Sequence, residues 1–155
     1  MATHREANNP TFSYVEPMPW PKDVPKVDEV GATSAPLKSI AFFFGQFCQP
    51  YAEDFMLCKN ENRDPEHCLK EGRRVTRCAQ DLIQKIGEKC GNEWDAHWQC
   101  LEKNNQEYMP CRSFERPLNK CVLEQLNLIK KIPGSPEGQP QIHEKTNPVV
   151  TRLQK

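Results

Sequence analysis

The chain has 155 residues, 37% hydrophobic and 27% charged, and its 21 basic and 21 acidic side chains leave no formal net charge. Charges so evenly dispersed create no long-range field toward nucleic acid or anionic lipid, which argues against phosphate-backbone binding. The thin apolar fraction, with 14 prolines placed unevenly and crowding the two ends, argues against a large enzyme with a broad core and leaves roughly residues 36 to 130 able to pack.

Residues 1–33 are expected to form an extended N-terminal tail, punctuated by Pro10, Pro17, Pro19, Pro21 and Pro25. The opening stretch from Met1 to Pro10 has neither an apolar segment with a cleavage site nor an Arg-rich amphipathic presequence. Ser34 is the expected N-cap of a short apolar helix over 34–47, ending at Phe47. The run from Ile40 to Phe47 is far shorter than the about 18–20 apolar residues that span a bilayer, so no transmembrane span is expected. Burial against the following hairpin is the default, and contact with a membrane subunit or the lipid interface is the other reading.

Residues 48–87 read as a first helical hairpin. Pro50 should end the preceding helix or kink it, leaving Cys48 at the junction, and Tyr51, Phe55 and Cys58 then share a face. The polar run Asn60, Glu61, Asn62, Arg63 makes the turn. Asp64 followed by Pro65 signals the next helix start, and Cys68, Gly72, Val75, Cys78, Leu82 and Ile86 follow on one stripe, with Gly72 admitting a close partner. Residues 88–130 read as a second hairpin, with Gly91 as a stop and Asn92 as a new cap. Trp94, Trp98 and Leu101 line its first helix, and Phe114, Leu118, Val122 and Ile129 its second. Pro117 implies either a kink or a helix that begins near Arg116, the latter leaving Cys111 in a turn. Residues 131–155 are expected to form an extended C-terminal tail.

The eight cysteines, Cys48, Cys58, Cys68, Cys78, Cys90, Cys100, Cys111 and Cys121, form four C-x9-C units in two pairs. A ten-residue step on a helix advances about 15 Å and leaves the second sulfur roughly 80° around from the first. That rise exceeds the Cα separation a disulfide tolerates, so each helix must be stapled to a neighbour. The short link between Cys58 and Cys68 favours an antiparallel hairpin, which pairs first with last. The expected bonds are Cys48 to Cys78, Cys58 to Cys68, Cys90 to Cys121 and Cys100 to Cys111. Closing the loop from Cys48 to Cys78 should contribute about 3–4 kcal/mol.

Metal, redox and catalytic readings are weaker. Structural zinc favours close ligand pairs such as C-x2-C, and there is no Cys-Cys or C-x-C pair; His67 and His97 read as structural. Nothing resembles a reactive C-x-x-C, a Gly-rich phosphate loop or a local catalytic triad. No metal, cofactor or catalytic residue is therefore expected. The fold class is all-α, two disulfide-stapled antiparallel helical hairpins in tandem with a preceding short helix and Pro-rich tails. Stable disulfides without a secretory signal point to the mitochondrial intermembrane space.

The spacing resembles that of the coiled-coil-helix-coiled-coil-helix (CHCH) proteins of that compartment. Further residues narrow the resemblance: Val27-Asp28-Glu29-Val30, Phe55-Met56-Leu57-Cys58, Asp64-Pro65, Cys68-Leu69-Lys70-Glu71-Gly72 with Val75 and Cys78, and Cys121-Val122-Leu123. Across roughly residues 26 to 128 the chain is similar to the PGIV-type accessory subunits of respiratory complex I. The resemblance implies a non-catalytic subunit bracing the intermembrane-space face of the membrane arm, peripheral on the inner membrane and partnered by other complex I subunits. It also implies import through the disulfide-relay oxidoreductase, for which Phe44, Phe55, Trp94 and Trp98 are docking candidates, although aromatics at helical spacing are core residues first. The alternative is a soluble CHCH-type assembly factor or chaperone of a respiratory complex, which the same fold can serve.

Overall fold

The computed structural model describes residues 22–24, 26 and 29–145, so most of the expected N-terminal tail, Val27 and Asp28 of the VDEV segment, and residues 146–155 lie outside the described residues. Within the described residues the secondary structure is helical, with four α-helices, one 3₁₀ turn and no strand. This is the all-α, CHCH-like class.

Helix α1 spans Ser34–Phe47. Its N-cap is Thr33, not Ser34 as expected, and the Ser34 hydroxyl accepts a hydrogen bond from Gln106 Nε2 at 2.6 Å in the turn after α3. Cys48 leaves the helical conformation with φ −100° and ψ 13°, and α2 (Gln49–Glu61) begins immediately, with Pro50 in its first turn. There the missing proline N–H costs nothing, since first-turn donors have no partner within the helix.

Asp64 accepts the Glu66 N–H at 3.1 Å, the capping contact its position suggests, yet the helix does not start there. Residues 65–68 form a turn, and α3 starts at Leu69. Cys68, bonded back to Cys58, sits at φ −108° and ψ 23° and separates the turn from the helix.

Helix α3 spans Leu69–Lys103, 35 residues in two helical segments that meet at a kink at Cys90, one residue before the stop expected at Gly91. The chain bends only at Cys90, with φ −132° and ψ 29°, and Gly91 is not among the residues with positive φ that would close a helix. Asp95, in the turn after the kink, accepts from Trp98 Nε1 at 2.8 Å. The segment before Cys90 is thus the second arm of the first hairpin, and the segment after it the first arm of the second.

Asn105 and Gln106, at φ 51° and 58°, reverse the chain. A 3₁₀ turn at Met109–Cys111 leads into α4, Arg112–Leu126. Pro117 lies inside α4, so the helix starts at Arg112 and not near Arg116, and Cys111 closes the 3₁₀ turn before it. The proline forfeits the bond to the Ser113 carbonyl, while burial of Glu115, Leu118 and Val122 holds the helix on either side of it. Asn127, at φ 54°, ends α4. The chain beyond it does not remain extended. Gly134 and Gly138 turn it at φ 80° and 72°, and Leu128, Lys130 and His143 are buried.

The main core joins Ile40 and Phe43 of α1, Leu82, Ile86 and Cys90 of α3, Leu118 and Val122 of α4, and Leu128. Helix α1 therefore packs against both hairpins, where the sequence suggested only the first. A smaller cluster joins Ala35, Leu101 and Cys111. Helix α2 buries no residue. Phe55 rests on Gly72, 3.4 Å from where a Cβ would stand, and the staples do the rest.

Candidate functional site

The eight sulfurs are joined as Cys48–Cys78, Cys58–Cys68, Cys90–Cys121 and Cys100–Cys111, with S–S distances of 1.94, 2.16, 1.98 and 2.06 Å. No cysteine is free. Cys48, Cys68, Cys78, Cys90 and Cys111 are buried; Cys58, Cys100 and Cys121 are half-buried. Each hairpin has one staple near its turn and one near its open end. Cys90, where α3 bends, is tied to α4, so the bend and the second hairpin are anchored at one residue.

The second cluster was not legible as a site in the sequence. Glu115, 2% exposed, pairs with both Arg112 and Lys130, and Lys130 reaches it from beyond the end of α4. The Lys130 ammonium also lies 4.3 Å from the Phe42 ring centroid and 4.5 Å from that of Tyr108. Tyr108 donates its hydroxyl proton to the Lys38 carbonyl at 2.6 Å, linking the inter-helix turn to α1. Fully buried His97 places Nδ1 2.7 Å from Ser39 Oγ, and its Nε2 has no hydrogen-bond partner among the described residues.

Burial governs the protonation of this cluster. It pushes the Glu115 carboxyl upward, but Lys130 and Arg112 outweigh it and hold the group below the usual carboxylate range. Burial lowers Lys130, with Glu115 opposing. The His97 imidazole is lowered to about 4 by burial, so it is neutral at physiological pH, and Tyr108 is raised to about 12 by burial and by the Glu115 charge. Ser39 beside a neutral imidazole has the elements of a nucleophile and base, but both are sealed, at 5% and 0% exposure. The cluster clamps α1, the turn at Tyr108, α4 and the following segment together.

The expected apolar stripe on α4 needs correction at this point. Phe114 and Ile129 are 46% and 57% exposed, whereas Glu115 shares the buried face with Leu118 and Val122. The signal available was the 3, 4 spacing of positions 115, 118 and 122, which places a carboxylate on the apolar side. Similarly, His97 and Leu101, with Trp94 packed against the core, define the inward face of α3, and Trp98 is only half-buried. His67 is exposed. Of the other aromatic docking candidates, Phe44 packs on the core and Phe55 on Gly72. An apolar groove of about 450 Å³ runs between α1 and α3, bordered by Val30, Leu37, Phe44, Val75, Ala79 and Ile83. No described helix is long and apolar enough to cross a membrane.

No family model matches the chain. It is 52% identical over 127 residues to the NADH-ubiquinone oxidoreductase 20.8 kDa subunit of Neurospora crassa, an alignment covering 81% of this chain and 69% of that protein. It is 36% identical over 93 residues to each of two Arabidopsis thaliana proteins named NADH dehydrogenase (ubiquinone) 1 alpha subcomplex subunits 8-A and 8-B. These alignments cover 59% of this chain and 86% and 88% of the respective relatives.

Proposed function

Because the chain belongs to the family of the 20.8 kDa and alpha-subcomplex-8 subunits of NADH:ubiquinone oxidoreductase, we propose that it is a non-catalytic accessory subunit of mitochondrial respiratory complex I. It braces the intermembrane-space face of the membrane arm, peripheral to the inner membrane, and supports assembly and stability of the complex. The observation that carries this reading is the use of all eight sulfurs in four staples along the two segments of α3, with no thiol left free.

An oxidising compartment suits such a chain, since disulfides are rare where glutathione keeps thiols reduced. Import in the thiol form, followed by oxidation through a relay oxidoreductase, fits the same chemistry. Phe44 and Phe55 are then available to that enzyme before the hairpins close and are half-buried afterwards. The working units are the two hairpins, 48–87 and 88–130.

Native gel electrophoresis of solubilised mitochondrial membranes tests the reading. Stoichiometric co-migration with mature complex I is the expected result. Absence from the mature complex, with presence in subassemblies alone, would instead establish the assembly-factor role.

A further inference from the structure

Among the described residues, one group of potential metal ligands converges: Cys58, Cys68 and His67, whose ligand atoms all lie within 4.8 Å of one another. The C-x9-C step looks too long for a metal site when both cysteines are placed on one helix. Here the chain reverses between them, and their Cα atoms are 6.0 Å apart. His67 brings a nitrogen to the same point from the turn, and Glu71 Oε2 lies 3.9 Å from Cys58 Sγ, within reach of a fourth position. His67 also borders an open polar cleft of about 210 Å³ with Asp23, Glu66 and Lys70, which gives an ion a route from solvent past two carboxylates. Lys70 in that cleft is already paired with Asp23 at 2.7 Å.

We propose that Cys58, Cys68 and His67, in the thiol state of the chain, form a Zn²⁺ site that the Cys58–Cys68 disulfide excludes, so that metal and staple compete for the same two sulfurs. Two thiolates and an imidazole are a donor set that Zn²⁺ accepts tetrahedrally, with Zn–S near ~2.3 Å and the sulfurs about 3.8 Å apart. Backbone positions suited to the disulfide reach that separation by side-chain rotation. Binding releases two thiol protons. Closure of the staple needs an oxidant, and a small-molecule disulfide supplies one: the two thiolates lose two electrons and join. The oxidant's S–S bond breaks, its sulfurs take two protons to become two thiols, and Zn²⁺ leaves. The other three staples have no third ligand converging on them among the described residues.

The test uses the full chain reduced with a phosphine under anaerobic conditions, given one equivalent of Zn²⁺, then trapped with an alkylating agent and mapped by mass spectrometry. Zn²⁺ is expected to slow alkylation of Cys58 and Cys68 by about tenfold or more, the scale on which a supporting contact affects a metal site. Cys90 and Cys121 should be unaffected. H67A, a change at an exposed position outside the core, should abolish the protection. Equal protection of all four pairs, none at Cys58 and Cys68, or full protection in H67A would overturn the proposal. Co²⁺ gives an independent reading. Sulfur-to-metal absorption should appear with the reduced chain and be lost in reduced H67A and in the fully oxidised chain, whereas absorption unchanged in H67A or in the oxidised chain would also overturn the site.

Discussion

Lys130, beyond the last helix, closes an ion pair with Glu115 inside it, and the two side chains are only 5% and 2% exposed. The pair fastens the segment after α4 to the body of the protein and completes the clamp around Tyr108. Removing one partner from a buried pair typically costs about 3–5 kcal/mol, because the other charge is left desolvated and unmatched. Glu115→Leu should reach that range. Lys130→Met should cost less, since Arg112 still pairs with Glu115. Denaturant unfolding of the single and double variants checks the order, and equal losses would contradict it.

His97 makes stability depend on pH in a definite direction. Its folded value of about 4 lies below the ordinary 6.5, so the unfolded chain binds more protons between those limits. The contribution of neutral His97 is fully present above pH 6.5 and is lost as pH falls from there toward 4. The shift corresponds to about 3 kcal/mol. The groups acting on the ring include Glu115, which favours its protonation, and Lys130 and Arg112, which oppose it. His97→Gln should flatten the stability profile across this window, as measured by urea unfolding at a series of pH values. An unchanged slope would show that other groups carry it.

The two staples of the first hairpin should contribute unequally. Cys48–Cys78 closes a separation of 30 residues and Cys58–Cys68 one of 10, which in the chain-entropy account is about 3.6 against about 2.7 kcal/mol. Because α2 buries no residue, losing both should release it while the core of α1, α3 and α4 persists. Hydrogen exchange on a variant with all four cysteines changed to serine should show protection lost in Gln49–Glu61 and kept around Leu82, Ile86 and Leu118.

Gly72 offers a test of how closely α2 approaches. An added Cβ would meet Phe55 Cε2 at 3.4 Å, an ordinary van der Waals contact, so Gly72→Ala should gain up to about 1 kcal/mol of helix propensity. Gly72→Leu has no such room and should displace Phe55. Thermal unfolding separates the two, with the melting temperature rising in the first and falling in the second.

The all-helical class and the boundary at Pro50 were legible in the sequence, because period, proline geometry and turn composition act over a few residues. The same local rules misplaced the start of α3, and put its interruption at Gly91, one residue past the kink at Cys90. A Gly-Asn pair permits a helix to end, but whether it does depends on what the next turn packs against. Here His97 and Leu101 are buried on the far side of Cys90, so the chain kinks there and resumes as helix rather than turning away. The clamp was less legible still: Ser39 and His97 are 58 positions apart, and Lys130 meets Glu115 only after Asn127 turns the chain back. The sequence alone determined which segments are helical, because that preference is local. Only the tertiary structure decided which polar side chains are drawn into the core, because a buried charge is tolerable only where distant residues arrive to neutralise it.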